Sequence, residues 1–288
     1  MKLLSFGEII WDVFPNGAHL GGAPLNFAAH AAMQGADAYV LSAVANDTLG
    51  NKALAEIKEL GVKTDHVSVS EKPTGSCIVT LDARGVPSYN LVRDTAYDDI
   101  ALPNISAEDG FDVLAFGTLA LRQEHNRAIL KELISKVEFP VIFSDLNIRA
   151  PFYSKESILF CLENANILKI SDEELPVITR EAFGKEFATL EDAAKEIFNS
   201  FGKKRLVLIT KGAEGAYAYD GGKEYYCDAA EAEVVSTVGA GDSFGATFLS
   251  QFLSGKTVAD SLAIAARVSA FVVSNTGAVP KYDIKDFV

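Results

Sequence analysis

Two glycine-rich clusters hold the residues best suited to chemistry. The first, residues 236–248, reads STVGAGDSFGATF and runs three glycines and an aspartate into an apolar-periodic segment. A glycine-rich turn at a helix start leaves backbone N–H groups free, here those of Ala240, Gly241 and Asp242, and the helix dipole reinforces their pull on an anion. Gly239, Ala240 and Gly241 are therefore the candidate anion hole. A carboxylate beside a bound anion is unfavourable unless it has a role of its own, so Asp242 either accepts the proton of an attacking hydroxyl or caps the helix. The second cluster, GGAPLNFAAH at 21–30, has Gly22 for close backbone approach, Pro24 for a first helical turn, and Asn26 as both donor and acceptor. With Asp12 upstream, it suits a polyol; a turn and an ordinary helix start is the other reading.

Three familiar chemistries fail on spacing or order. A dinucleotide loop needs G-x-G-x-x-G after an early strand, whereas Gly239, Gly241 and Gly245 are one residue too long and lie near the C-terminus. A serine elbow at Ser243 needs a later histidine, yet His19, His30, His66 and His125 all precede it. Ser254-Gly255-Lys256-Thr257 resembles the tail of a phosphate loop, but position 250 is serine and no strand leads in, so a helix end and the next helix start are expected there.

The 288 residues suffice for one large core, and no internal repeat or linker divides them. A net charge of −13 excludes binding to nucleic acid through phosphate neutralisation, while a locally built anion site stays compatible with it. Three scattered cysteines fit a reducing cytoplasm. The first 15 residues are too short and too charged for a membrane span, and read as the first core strand.

The elements that must position these residues follow a βαβ rhythm. Short apolar runs at 3–6, 38–44, 112–117, 141–145, 165–170 and 205–210 alternate with amphipathic segments such as 24–34 and 49–60, which predicts an α/β fold with a mostly parallel sheet between helices. Two regions break the rhythm. Residues 74–94 read as a hairpin turning at Asp82-Ala83-Arg84-Gly85, which with residues 9–20 forms a small β lid; residues 216–227 read as a second hairpin turning at Asp220-Gly221-Gly222.

Taken together, the early Gly-Gly-x-x-x-Asn and the late Thr-x-Gly-Ala-Gly-Asp resemble the PfkB, ribokinase-like family of carbohydrate kinases. Asp145-Leu-Asn147-Ile-Arg149, Lys169-Ile-Ser171-Asp-Glu-Glu174 and Thr210-Lys-Gly212-Ala-Glu-Gly215 lie between them in the family's order. The resemblance covers essentially the whole chain and implies a single domain over 1–288, a three-layer ribokinase-like fold with a β lid, and transfer of the γ-phosphate of MgATP to a sugar hydroxyl. It implies Asp242 as catalytic base beside the Gly239–Gly241 anion hole. Asp12, Gly22 and Asn26 match sugar-binding positions, with Arg93 and Arg149 in reach of substrate or phosphate oxygens. Glu174 matches an acid that organises Mg²⁺ through water. Lys169, Thr210, Gly212, Gly215 and the stretch Ser274, Asn275 and Gly277 match the nucleotide side.

Gly-Gly-Ala-Pro-x-Asn and Asp-x-Asn-x-Arg are similar to fructokinases, which makes fructose the expected sugar and 2-keto-3-deoxygluconate the alternative. A non-catalytic sensor that kept the fold is the reading from another class. Three positions depart from the family's pattern: Ser236 and Ser171 replace Asp and Asn, and Ala266 replaces an Asn. Ser236 puts activation by K⁺ in question. A homodimer paired through the lid edges is a further expectation.

Overall fold

The computed structural model describes residues 1–14, 17–81 and 87–288, so the expected turn at Asp82-Ala83-Arg84-Gly85 lies outside the described residues. The first strand, β1 (Lys2–Phe6), pairs in parallel with β4 (Asp37–Ala45) on one side and β8 (Val113–Phe116) on the other. Beyond β4 lies β5 (Lys63–Ser70), and beyond β8 follow β9 (Val141–Asp145), β10 (Ile167–Ser171) and β11 (Leu206–Thr210), every pairing parallel. The hairpin β12 (Ala216–Tyr219) and β13 (Glu224–Cys227) extends that edge antiparallel, giving the order β13-β12-β11-β10-β9-β8-β1-β4-β5.

The central strands read as continuous apolar runs because both of their faces are covered. All four residues of β8 are buried, as are Ile167–Ile170 and Leu206–Ile209. Two apolar cores result, one on each face. Helices α1 (Ala23–Met33), α2 (Thr48–Glu59), α7 (Ala240–Leu253) and α8 (Val258–Val273) supply one, with Phe27, Ile57, Phe248 and Leu262 fully or nearly fully buried. Helices α3 (Glu124–Lys136), α4 (Lys155–Asn164), α5 (Leu175–Phe183) and α6 (Leu190–Ser200) supply the other, around Leu130, Ile158, Ile178 and Ile197. This is the α/β, three-layer arrangement that the alternation of runs predicts. The strand β5 was not among the expected ones: its Lys-Thr-Asp-His-Val-Ser-Val-Ser sequence is polar because an edge strand keeps one side in water.

A separate four-stranded sheet, ordered β3-β2-β6-β7, is built from β2 (Ile10–Phe14), β3 (Gly17–Gly21), β6 (Gly75–Leu81) and β7 (Pro87–Leu91). Asp12 on β2 has His19 of β3 and Cys77 of β6 as register partners.

Helix starts differ in how they are capped. Asp47, Ser154, Thr189 and Thr257 cap α2, α4, α6 and α8 with a side-chain oxygen. By contrast α1 and α7 begin at Gly22 and Gly239 without a side-chain cap from those residues. Their first N–H groups are left for other partners. The Ser254–Thr257 segment is a helix end followed by a helix cap, as its sequence suggests.

Candidate active site

Strand order places the site. The chain winds outward from β1 through β4 and β5, then returns to add β8 to β11 on the other side, so the winding direction reverses between β1 and β8. In such sheets the crevice beyond the strands' carboxyl ends at the reversal is where ligands bind. A narrow pocket lies there, lined by Glu8 after β1, Gly117, Thr118 and Leu119 after β8, Asp145 and Asn147 at the end of β9, Ala23 and Pro24 of α1, and Asp242 of α7.

Asn26 and Asp242 meet in this crevice: the Asn26 side-chain amide donates to Asp242 Oδ2 at 2.8 Å. The helix-cap reading of Asp242 therefore gives way, because its carboxylate turns toward α1 rather than back onto its own helix. Burial pushes the Asp242 carboxyl up to about 6; the Asn26 amide opposes the rise, Asp145 adds to it, and Lys169 and Arg149 oppose it. A carboxylate in that range holds its charge at neutral pH and can still take a proton.

Two glycines make the arrangement possible. Gly22 has φ of 118°, and a Cβ there would sit 2.3 Å from the Glu8 carbonyl oxygen. Gly239 has φ of 80°, and its Cβ would sit 2.3 Å from the Ala278 carbonyl oxygen. Each sits in a conformation costly to other residues and against backbone that cannot yield.

Below α7, Lys169 is almost fully buried and donates to Asp145 Oδ2 at 2.8 Å. Burial works against its charge, but Asp145, Glu174 and Asp242 outweigh that and raise its pKa overall. A side chain at Gly241 would approach the Lys169 ammonium to 3.2 Å, so this cation lies directly under the first turn of α7. Glu174 is held by two backbone donors, Ile148 N–H and Ser171 N–H, the latter at 2.8 Å. Burial, and then Asp145, raise the Glu174 pKa. Each of its oxygens keeps a lone pair for a water. Ser171 is thus an anchor for Glu174, and its hydroxyl oxygen in turn accepts the Glu174 N–H at 3.3 Å.

The remaining residues singled out in the sequence spread around this centre. Asp12 stands on the four-stranded sheet, its pKa raised by burial against the lowering pull of His19 and Arg149. Arg149 is exposed on the loop after β9, and its charge is felt by Glu8, Asp12 and Asp242. Arg93 is exposed and stacks at 4.6 Å on the Phe152 ring, which Arg122 also contacts. Thr210 ends β11 beside Ser171, and Gly212 and Gly215 form the turn into β12, where Lys211 N–H donates to the Gly215 carbonyl at 2.8 Å. Ser274 and Asn275 return their side chains to the Ala270 and Phe271 carbonyls at the end of α8, and Gly277 follows with φ of 82°. Val235 and Ser236 N–H groups donate to the Val273 carbonyl, which ties the 234–238 loop to that helix end. Ala266 packs against the apolar core.

Of the acid and amide side chains that line the pocket, Glu8, Asp145 and Asn147 were not among the expected site residues. Asp145 and Asn147 stand within the Asp-x-Asn-x-Arg segment, and Asn147 enters the pocket from a left-handed backbone with φ of 42°. Glu8 shows in the sequence as a charge inside an apolar run. Its solvent exposure is 4%, and burial pushes its carboxyl up to about 7; its own backbone N–H counters that, the Asp242 charge reinforces it, and the Ala23 N–H and Arg149 counter it further.

The sequence pattern of the pfkB family carbohydrate kinase matches residues 4–285. Probable fructokinase-4 of Arabidopsis thaliana is 27% identical over 308 aligned residues, covering 96% of this chain and 92% of that protein. A 5-dehydro-2-deoxygluconokinase of Geobacillus thermodenitrificans is 28% identical, covering 94% and 84%. Among solved structures, a 2-dehydro-3-deoxygluconokinase of Thermotoga maritima superposes with a TM-score of 0.84 at 22% identity, covering 100% of this chain and 98% of that one. A fructokinase of Vibrio cholerae O395, solved with fructose, ADP and a calcium ion bound, superposes with a TM-score of 0.82 at 20% identity, covering 99% and 98%. A match over 282 of the 288 residues, on a sheet whose reversal point carries a glycine-started helix beside a paired carboxylate, makes this chain a member of the pfkB family of carbohydrate kinases, ATP-dependent phosphotransferases acting on sugars.

Proposed function

We propose that the protein transfers the γ-phosphate of ATP to a hydroxyl of D-fructose, with Asp242 as the base. The contact that carries this reading is the 2.8 Å hydrogen bond from Asn26 to Asp242, which joins the polyol-suited cluster to the anion-suited cluster in one crevice. Asp242 removes the proton of the attacking hydroxyl as its oxygen approaches phosphorus in line, and the N–H of Gly241 stabilises the developing charge, joined by that of Ala240 once it leaves its 3.3 Å bond to the Thr237 carbonyl. Lys169, fixed by Asp145 beneath this turn, adds positive charge where the transferred group passes. Asp12, Gly22 and Asn26 hold the sugar, and the four-stranded sheet closes over it to exclude water as a competing acceptor. Thr210, Gly212, Gly215, Ser274, Asn275 and Gly277 line the nucleotide side. Two such sheets pairing at their β3 or β7 edges give a homodimer.

Glu174 fits the role of a carboxylate facing Mg²⁺ through water, since its oxygens are positioned by the Ile148 and Ser171 backbone donors. Bound with ATP, Mg²⁺ would supply charge neutralisation on the phosphates.

Relatives named fructokinase support the sugar. The exposed arginines Arg93 and Arg149 favour a second reading, an acid sugar such as 2-keto-3-deoxygluconate, whose carboxylate suits a guanidinium. ADP release with ATP, Mg²⁺ and a panel of hexoses, pentoses, nucleosides and keto-acid sugars decides between them. D-fructose is expected to give the highest kcat/KM; sugar binding without turnover for every panel member would instead identify a sensor.

A further inference from the structure

Glu8 is a carboxylic acid at the floor of the pocket for which the transfer chemistry above has no use. One of its oxygens, Oε1, accepts the Ala23 N–H at 3.2 Å, closing the start of α1 that Gly22 leaves uncapped. Apart from its own backbone N–H, Ala23 is its one hydrogen-bond partner among the described residues. No side chain donates to either carboxyl oxygen among them, in a residue more than nine-tenths buried that lines the pocket together with Asp242. A cap for α1 needs a single acceptor oxygen, and a serine, asparagine or ordered water would serve. A whole carboxyl group placed opposite another carboxylate needs a further reason.

The surroundings separate the two acids. Asp242 has the Asn26 amide on its oxygen and the Lys169 ammonium nearby, both of which favour its charged form. Glu8 has no side-chain donor among the described residues. The charged and titratable groups that face it are Asp242 and Asp145 across the pocket, Arg149 from the loop after β9, and Tyr97 and Arg122 from the turns after β7 and β8. Arg122 is committed to Asp98, which it holds at 2.8 Å, and Arg149 lies exposed. Where two acids share a site and one is supported as an anion, the other serves as a hydrogen-bond donor.

We propose that Glu8 is a second acceptor-binding residue: its neutral carboxyl donates a hydrogen bond to an oxygen of the sugar neighbouring the hydroxyl that Asp242 activates. The inference rests on the reading of Asp242 as base and goes beyond it by assigning the opposite proton state to its neighbour. As the pH rises, Asp242 ionises first; Glu8 then loses its proton against that charge, and the site loses a donor and gains a repelling anion. Sugar affinity falls on the alkaline side, while ATP, held by other elements, is unaffected.

The test compares the full-length protein with Glu8→Gln. Gln keeps the oxygen that caps Ala23 and donates through its amide at every pH. Binding of D-fructose, followed by titration calorimetry from pH 6.5 to 8.5, should weaken roughly tenfold or more in the parent, as the binding-competent neutral fraction shrinks, and stay nearly constant in Glu8→Gln. In turnover assays the same split appears in the KM for sugar and not in the KM for ATP. A second variant, Glu8→Leu, lacks donor and cap and should raise the sugar KM at every pH. Parallel pH dependence in the parent and Glu8→Gln overturns the proposal and leaves Glu8 a helix cap. Calorimetry reads binding without turnover, so the separate assay of Asp242→Asn reports on the base independently of Glu8.

Discussion

Asn26 and Asp242 stand 216 positions apart in the chain and 2.8 Å apart in the fold, and each belongs to the first turns of a helix that starts at glycine. That hydrogen bond joins α1 to α7 at the point where, with Asp242 read as the base, acceptor and phosphate meet. It also favours the charged carboxylate against the burial that favours its neutral form.

Replacing Asp242 by Asn keeps the shape and removes the base. Turnover should fall by roughly two or more orders of magnitude, with the thermal midpoint and ATP binding unchanged. Steady-state kinetics beside a calorimetric ATP titration check this; turnover within a few-fold of the parent removes Asp242 from the role.

The acid limb of kcat/KM should lie near pH 6, where Asp242 takes up its proton. Only the ionised form can accept the hydroxyl proton, so activity is present above that value and lost as pH falls through it. Asn26→Ala takes away a donor that favours the carboxylate, and the limb should move to higher pH. A pH–rate series on both proteins measures the displacement, and an unmoved limb rejects the control assigned to Asn26.

Gly239→Ala should be more damaging than Gly255→Ala. Both glycines have positive φ, 80° and 96°, but only at Gly239 would the new Cβ meet backbone, the Ala278 oxygen at 2.3 Å. Strain alone costs on the order of 1–2 kcal/mol, and the clash adds to it at Gly239. Urea unfolding of the two variants gives the comparison; equal losses would mean that the Ala278 segment moves aside freely.

His30 ties the C-terminal segment to α1, with its ring nitrogens on Tyr282 Oη at 3.1 Å and the Ala278 carbonyl at 3.0 Å. Burial pulls its pKa from 6.5 down to about 4, so the folded state prefers the neutral ring. The stability this gives is complete above pH 6.5 and drains away as pH falls toward 4. His30→Gln should escape that loss: its stability deficit relative to the parent should shrink on the order of 2 kcal/mol between about pH 7 and about pH 4.5, measured by urea unfolding. A deficit independent of pH contradicts the assignment.

Exchange of K⁺ for Na⁺ should change turnover by no more than roughly twofold, because the neutral Ser236 hydroxyl supplies no formal charge to a cation. Its oxygen already accepts the Val238 N–H at 3.3 Å. Strong selective activation in a K⁺ titration would show that Ser236 is no obstacle to a cation site.

Much of this protein can be read from its letters, and the reason is local. Buried parallel strands need unbroken apolar runs, so β1, β4 and β8 to β11 stand out, whereas the polar edge strand β5 does not. Glycines that must touch backbone, Gly22 and Gly239, sit beside helix starts whose periodicity is plain in the sequence. Asp242 and Asn26 could each be named from their own neighbours.

What one-dimensional order could not supply is the company these residues keep. The reversal between β1 and β8 sets Glu8 opposite Asp242, and the pairing of β9 with β10 sets Asp145 on Lys169. Charge state follows from that company. Glu8, met in sequence as a break in an apolar run, becomes a buried acid only once α1 and α7 close around it. Local sequence determined the elements and the motifs; how far each carboxyl is pushed toward its neutral form was decided by burial and by neighbours that only the tertiary fold brings within reach.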